Sequence, residues 1–129
     1  MSIKPKKFLG VPDEIIVKEA SRCVELVYAS ELEDAPSRGE LSFEFLRVFS
    51  PSAEVVGHGK GQEVIQQGKR EVMVEKIEPI GNYAIKITFS DGHDTGIYSW
   101  NYLSELCSNS DKLWKEYLDA LSSINGSRN

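Results

Sequence analysis

Residues 83–98 read YAIKITFSDGHDTGIY, and this stretch decides the fold of the chain. Large apolar side chains alternate here with small or polar ones, which is the two-residue period of a half-buried β-strand. The apolar members, which we expect on the core side of the strand, are Tyr83, Ile85, Ile87 and Phe89. One face of this strand is therefore predicted to pack against the interior.

The Asp91-Gly92 pair that follows favours a two-residue type I′ turn, in which both central residues have a positive φ. In the register that this turn imposes, Ser90 pairs with His93 and Phe89 pairs with Asp94. Successive side chains of a strand point to opposite faces. His93 is therefore predicted on the face opposite Phe89, away from the core.

Further strands are predicted on both sides of this turn. Short β-rich runs at residues 15–17 and 23–28 indicate a first hairpin. A strand over 72–77 is joined to the central strand by a loop at 78–82, whose Pro and Gly suit a turn. The chain then returns through 95–98, so this region is predicted to form a three-stranded meander.

Two segments are predicted to be irregular. Residues 31–40 hold four acidic side chains together with Pro36 and Gly39, and we expect a loop there. Residues 50–68 are also expected to be mostly irregular because they contain Gly57, Gly59, Gly61 and Gly68.

Two short helices are predicted from their capping residues. Ser42 can cap a helix that begins at Phe43, although the alternation of Phe43-Glu44-Phe45 also suits a strand, and both interpretations stay open. Ser99 can cap a helix over 100–107, with its apolar residues directed inward.

A longer helix is predicted over 111–124, capped by Ser108 or Ser110 and stopped by Asn125-Gly126. Its apolar stripe at helical spacing comprises Leu113, Trp114, Tyr117, Leu118, Leu121 and Ile124. We expect one α+β domain over 13–125, in which the C-terminal helices cover one face of an antiparallel sheet. Residues 1–12 are expected to be a flexible arm and residues 126–129 a flexible tail.

Composition limits the classes of partner. The 129 residues fit one domain, and the net charge of −5 provides no cationic field to hold nucleic acid or an anionic membrane. No apolar run is long enough for a membrane span or a signal peptide. Cys23 and Cys107 form no CxxC motif, so we expect buried, inert thiols in a reducing cytoplasm. A monomer is expected, because no apolar helix is left uncovered.

Several residues could carry chemistry, each with a structural alternative. Asp91, His93 and Asp94 could form a weak metal site, but Asp91 is better explained by the turn and Asp94 by solvation. Arg47 could clamp an anionic ligand, although pairing with an acidic residue is the default. His58 lies in the glycine-rich stretch at 57–62, whose spacing matches no phosphate-binding motif. No nucleophile elbow supports a catalytic triad.

Two stretches resemble a known family. They are LRVFSPSAEV at 46–55, and EPIGNY at 78–83 running on to DGHDTGIYSWNYL at 91–103. Both are similar to the gamma-butyrobetaine hydroxylase-like N-terminal domain, a family of mostly uncharacterised small bacterial proteins. With a weaker fit of the first hairpin, the resemblance extends over roughly residues 13–121.

The resemblance implies an accessory role. In fused relatives this domain precedes the catalytic domain of carnitine-pathway dioxygenases, or is attached to P-loop ATPases that carry iron–sulfur clusters. The dioxygenase activity belongs to a separate iron-binding domain and is not transferred to this chain. The dioxygenase version holds zinc with three cysteines in a C-x-C-x-x-C run and one later histidine.

By position, those cysteines correspond to Ser50, Ser52 and Val55, while His93 matches the histidine. Three of the four zinc ligands are therefore missing, and we expect neither a zinc site nor any cofactor. Ser50 and Ser52 are expected to bond the local backbone around Pro51, with His93 as a polar partner.

The leading functional hypothesis is a non-catalytic interaction module with a protein partner, linked to iron–sulfur or metalloprotein metabolism. The alternative is a protein that binds a small molecule or a weakly held metal through the Asp91-His93-Asp94 turn, with Arg47 and the Ser50 loop. An enzyme that uses His58 or His93 as a general base is the least supported hypothesis.

Overall fold

Two three-stranded antiparallel sheets and four helices make up the part of the chain that the computed structural model describes, namely residues 8, 10–29, 36–57 and 64–129. The first sheet has the strand order β1-β2-β3 and the second the order β4-β5-β6. The predicted α+β class is confirmed.

The first sheet contains β1 (Glu14–Lys18), β2 (Cys23–Tyr28) and β3 (Ser37–Ser42). The predicted first hairpin is confirmed, with Ile16 opposite Glu25. The predicted loop over 31–40 is wrong from Ser37 onward, because this segment pairs with β2 as a strand. Residues 30–35 lie outside the described part.

The incorrect loop prediction relied in part on Gly39, which has a packing role in the structure. A Cβ at this position would lie 2.6 Å from Cys107 Sγ, so the glycine permits close packing and does not mark a turn. The alternation of buried and exposed positions along β3 is that of an ordinary half-buried strand.

The second sheet contains β4 (Val74–Ile80), β5 (Ala84–Phe89) and β6 (Ile97–Ser99), so the predicted meander is confirmed. β4 includes Pro79, which the prediction placed in a loop. An edge strand tolerates proline, since one side of its backbone needs no partner. Tyr83 falls just before β5 and is 58% exposed, so its predicted core position is wrong.

The turn after β5 differs from the prediction. The β5–β6 register is the predicted one, with Ile85 opposite Tyr98. At the turn, however, Gly92 N donates to Phe89 O (3.0 Å) and Phe89 N donates to His93 O (2.9 Å). Gly92 has a φ of +88°, so Gly92 and His93 together oppose Phe89 in a G1 bulge.

This one-residue bulge places His93 beside Phe89, with 6.1 Å between the ring centroids. His93 is only 6% exposed, and its predicted position on the outer face is wrong. At the turn itself, Phe89 lies opposite His93 and not opposite Asp94 as predicted. This local shift of one residue moves the His93 side chain to the other face of the strand.

The helices are α1 (Phe43–Val48), α2 (Ala53–Val56), α3 (Trp100–Ser108) and α4 (Ser110–Ser123). Ser42 Oγ accepts from Phe45 N at 2.9 Å, which settles the open choice at Phe43 in favour of a helix. Ser99 caps α3 as predicted, by accepting from Tyr102 N. No membrane-spanning helix is found within the described ranges.

The predicted serine cap of the last helix is wrong. α3 continues through Ser108 and α4 begins at Ser110, so Asn109 alone separates them and makes no side-chain cap bond. The predicted stop is confirmed, since Asn125 has a φ of +53°. In the apolar stripe, Tyr117 and Leu121 are buried, whereas Leu118 and Ile124 are exposed.

Both sheets and three helices contribute to one core. Its largest fully buried side chains are Tyr28, Tyr98, Phe43, Phe89, Leu26, Leu41, Leu46, Ile87, Leu103 and Leu106. Core burial of this kind is the main favourable term in folding.

Residues of both expected flexible ends contact this domain. Phe8 packs edge-on against Tyr28, with 5.5 Å between ring centroids. Arg128 pairs with Glu44 through two hydrogen bonds of 2.8 and 2.6 Å. The guanidinium of Arg128 also lies 5.2 Å from the centroid of the Trp114 ring. The tail is therefore held at Arg128.

Candidate functional site

The loop after α1 meets the turn between β5 and β6 in a polar cluster, which comprises Ser50, Ser52, Glu54, His93 and Thr95. Ser50 Oγ lies 2.8 Å from His93 Nε2, and Ser52 Oγ lies 2.7 Å from Thr95 Oγ1. His93 Nδ1 lies 3.0 Å from Glu54 Oε2. The polar cluster thus joins two segments that are far apart in the sequence.

Local backbone bonds shape the serine side of the polar cluster. Ser52 N donates to Ser50 Oγ at 3.3 Å, across Pro51. Ser52 Oγ in turn accepts from Glu54 N at 3.2 Å and so caps α2. These contacts are the ones expected from the sequence for Ser50 and Ser52.

The surroundings of His93 favour its neutral imidazole form. Burial lowers its pKa, and the charge of Arg47 lowers it further, while the hydrogen bond to Glu54 acts in the opposite direction. A neutral ring has one donor and one acceptor nitrogen. We therefore assign Nδ1–H as the donor to Glu54, with Nε2 accepting from the Ser50 hydroxyl.

A second group of charges lies beside the polar cluster. Asp91 Oδ2 accepts from Arg47 Nε at 2.9 Å and from Lys69 Nζ at 2.7 Å. Asp91 Oδ1 accepts from His93 N at 3.2 Å. Burial alone would raise the pKa of Asp91, but the bonds from Lys69, His93 N and Arg47 lower it to about 2.

Arg47 is therefore paired with an acidic residue of the hairpin, the structural role expected by default. Its side chain is 8% exposed, and Nη1 is buried without a hydrogen-bond partner among the described atoms. Asp94 is exposed on the turn, outside the polar cluster. His58 and most of its glycine-rich stretch lie outside the described residues.

The order of Ser50, His93 and Glu54 matches the bonding order of a serine-hydrolase triad. A nucleophile must also reach its substrate, and Ser50 is 0% exposed. A Cβ on Gly96 would lie 2.4 Å from Ser50 Oγ, so this glycine packs directly against the hydroxyl. These hydrogen bonds connect two loops, and the hydroxyl of Ser50 is not accessible to a substrate.

The same residues do not fit the zinc ion that the resemblance implies for relatives. Ser50 and Ser52 offer hydroxyls already used in hydrogen bonds, and Val55 is a buried apolar side chain. Within the described ranges, no three or more His, Cys, Asp or Glu residues are grouped so as to hold a metal ion.

The two thiols lie elsewhere and are buried, as expected. Burial raises the pKa of Cys107 to about 12. Burial also raises the pKa of Cys23, whose Sγ donates to Glu40 at 3.0 Å. A raised pKa favours the thiol form over the reactive thiolate in both groups.

Sequence reasoning missed three members of the site. Lys69 and Thr95 carry no local signal, because their partners are distant in sequence. Glu54 could have been found, since an acidic residue just after the helix-capping Ser52 is a typical first-turn residue.

Comparisons with known proteins agree with this architecture. A family model described as "Gamma-butyrobetaine hydroxylase-like, N-terminal" matches residues 15–104. No curated protein matches the chain.

Three solved structures are similar to the chain. One NMR solution structure is 44% identical, covers 92% of this chain and 90% of its own, and has a TM-score of 0.76. A second NMR structure is 40% identical, with coverages of 98% and 91% and a TM-score of 0.76. A crystal structure of a DUF971-family protein of unknown function from Acidithiobacillus ferrooxidans is 36% identical, with coverages of 80% and 97% and a TM-score of 0.59.

Proposed function

Because this chain belongs to the family of gamma-butyrobetaine hydroxylase-like N-terminal domains, we propose that it is a non-catalytic accessory module that binds another protein. We place its partner in iron–sulfur cluster or metalloprotein metabolism, in the reducing cytoplasm. The accessory role follows from the way in which fused relatives use this domain. The two free, buried thiols are compatible with a reducing compartment.

The observation that carries the proposal is the burial of Ser50 and His93 in the polar cluster. Ser50 is fully buried, and both nitrogens of His93 are engaged. A general base or nucleophile has to reach the proton or the atom on which it acts. A buried hydroxyl and a buried imidazole that already bond to each other are better suited to hold two loops together.

The alternative, a ligand site on the Asp91-His93-Asp94 turn, has less support. Both carboxylate oxygens of Asp91 already accept hydrogen bonds, and Oδ2 is shared by two cations. A metal ion would have to displace Arg47 and Lys69, which would leave the largely buried Arg47 without its counter-charge.

The proposal is tested by titrating isotope-labelled protein with a purified iron–sulfur P-loop ATPase from the same genome. We expect saturable loss or movement of amide signals on one surface, and the same response from His93→Ala if that variant stays folded. The absence of a response to both the apo and the cluster-loaded ATPase would overturn the assignment of the partner class.

Metal titration distinguishes the alternative. Zn²⁺ and then Fe²⁺ are added while the amides of residues 50–55 and 91–94 are followed by NMR. We expect only weak, scattered shifts at exposed carboxylates. Saturable one-to-one shifts confined to both segments, with micromolar or tighter affinity, would support a ligand-binding function instead.

A further inference from the structure

Among the strands that the structure describes, β6 is paired on one side only, and its other side is here called the free edge. Trp100 N donates to Tyr83 O at 3.3 Å, and Ile87 N donates to Gly96 O at 3.5 Å. In an antiparallel ladder, inward and outward backbone groups alternate along each strand. The N–H and C=O of Ile97 and the N–H of Ser99 therefore point away from β5, and among the described strands β6 pairs with β5 alone.

An exposed apolar surface lies beside this edge. Val11 and Tyr83 are each 58% exposed, and Ile97 on β6 is 45% exposed. Tyr83 and Trp100 belong to a cleft of about 340 Å³, here called the Tyr83 cleft. Its lining residues are Gly10, Val11, Tyr83, Ser99, Trp100 and Asn101. Clustered exposed apolar side chains of this kind are typical of binding surfaces.

The Tyr83 cleft has a fixed wall. Trp100 Nε1 donates to Asn82 O at 2.8 Å, which holds the indole ring in place while leaving it partly exposed. Ordering a rotamer-rich side chain costs free energy on association, and a ring that is already held avoids that cost.

The free edge and the Tyr83 cleft meet at Ser99. Tyr98 is fully buried, so its neighbours Ile97 and Ser99 lie on the outer face of the sheet. Ser99 also lines the Tyr83 cleft. A strand added alongside β6 would place every second side chain on that outer face. The side chain of the added strand that lies opposite Ser99 would be at the mouth of the Tyr83 cleft.

We propose that the partner of this module adds an extended segment to the free edge of β6 and inserts one apolar or aromatic side chain into the Tyr83 cleft. This inference rests on the proposed function, because it names the surface that the partner uses. The occupant is an extended strand because outward N–H and C=O groups at alternate residues are complementary to another strand, as in β-augmentation.

The geometry provides a selective variant. Proline at position 97 removes an outward N–H that β5 does not use, so Ile97→Pro should block the added strand while leaving the ladder to β5 intact. Ile97→Thr is the matched control, since it also removes the isoleucine but keeps the N–H and a β-branched side chain. Tyr83→Ala removes one wall of the cleft without changing the edge.

The probe is a set of random peptides of about ten residues, displayed and selected on the wild-type protein. We expect the selected peptides to lose about tenfold in affinity on Ile97→Pro and on Tyr83→Ala. Ile97→Thr should bind at least threefold more tightly than Ile97→Pro. Leu118→Ala, which shortens an exposed apolar residue on α4, should leave binding unchanged.

Hydrogen exchange supplies the second readout. Bound peptide should slow the exchange of the Ile97 and Ser99 amides, which are outward in the free protein. Equal binding to Ile97→Pro and the wild type, or slowed exchange only on other elements, would overturn the inference, as would a selection that enriches no peptide.

The two proposals fail separately. If the iron–sulfur ATPase binds equally well to Ile97→Pro and the wild type, the accessory function stands and the β6 surface is wrong. If peptides bind at β6 and the ATPase does not bind, the surface stands and the assigned partner class is wrong.

Discussion

The hydrogen bond between Ser50 and His93 should be measurable as a coupling free energy. Ser50→Ala leaves His93 Nε2 as a buried acceptor without its donor, which should cost about 1–3 kcal/mol. His93→Ala also removes a ring packed beside Phe89, so we expect a larger loss of about 2–4 kcal/mol. Both effects are large against the stability of a small domain.

The double variant separates this bond from general packing. Once His93 is absent, Ser50→Ala leaves no buried acceptor without a donor. The sum of the stability losses of the two single variants should therefore exceed the stability loss of the double variant by about 1–2 kcal/mol. The assay is urea denaturation of the wild type, both single variants and the double variant at pH 7. Glu54→Gln is the control, because the Glu54 side chain is 67% exposed and should contribute only about 0.5 kcal/mol.

The reasoning would be refuted by additive losses. If the two single losses sum to that of the double variant within about 0.5 kcal/mol, the hydroxyl and the imidazole do not stabilise each other. Unchanged melting temperatures in both single variants would also show that the polar cluster does not hold the two loops together.

Three further predictions concern pH and packing. Because the pKa of His93 is lowered in the folded state, the unfolded chain binds its proton more readily, and stability should fall as pH drops through the ordinary value of 6.5. This fall, followed by urea denaturation across that range, should be absent in His93→Ala. Asp91→Asn should cost about 1–2 kcal/mol at neutral pH, since Arg47 loses its counter-charge while the 26% exposure of Asp91 screens part of the effect. The pKa of Asp91 is lowered from its ordinary value of 3.8 to about 2. The contribution of Asp91 to stability is therefore complete above pH 3.8 and is lost as the pH falls through about 2. The stabilities of the wild type and of Asp91→Asn should converge at that low pH. Gly39→Ala should cost about 1–3 kcal/mol because the new methyl group meets Cys107 Sγ, and Cys107→Ala in the same chain should recover most of that loss in a calorimetric scan.

Signals local to a few residues predicted much of the fold. The alternation along β5 placed Ile85, Ile87 and Phe89 in the core, and Ser99 placed the start of α3. Ser42 indicated the start of α1 as one of two interpretations, and the structure decided for the helix. In each case the chemistry that selects the structure lies within four residues of the position concerned, so it can be read from the sequence directly.

The turn at Asp91-Gly92 could not be predicted in the same way. Both a type I′ turn and a type I turn with a G1 bulge accept this pair of residues. The bulge brings His93 inward, where it meets Ser50 and Glu54, 43 and 39 residues away along the chain. Those partners are non-local, and the sequence around the turn carries no sign of them.

The candidate site depended on the family resemblance for the same reason. Only that resemblance placed Ser50 and Ser52 near His93, and the structure adds Thr95 and Glu54 to them. Tyr83, predicted in the core from its place in the alternation, proved to be exposed beside β6. Alternation specifies a face of a strand, but it does not specify where the strand begins.

The short helix α1 bears on how this protein folds. Its six residues are too few to be helical alone, and its charged side chains are paired with distant partners, Glu44 with Arg128 and Arg47 with Asp91. These partners lie 84 and 44 residues further along the chain. Contacts of such long range close large loops, and closing large loops slows folding. We therefore expect α1 to become ordered late, after the second sheet and α4 have formed, so that amides in α1 gain protection last in a pulse-labelling refolding experiment.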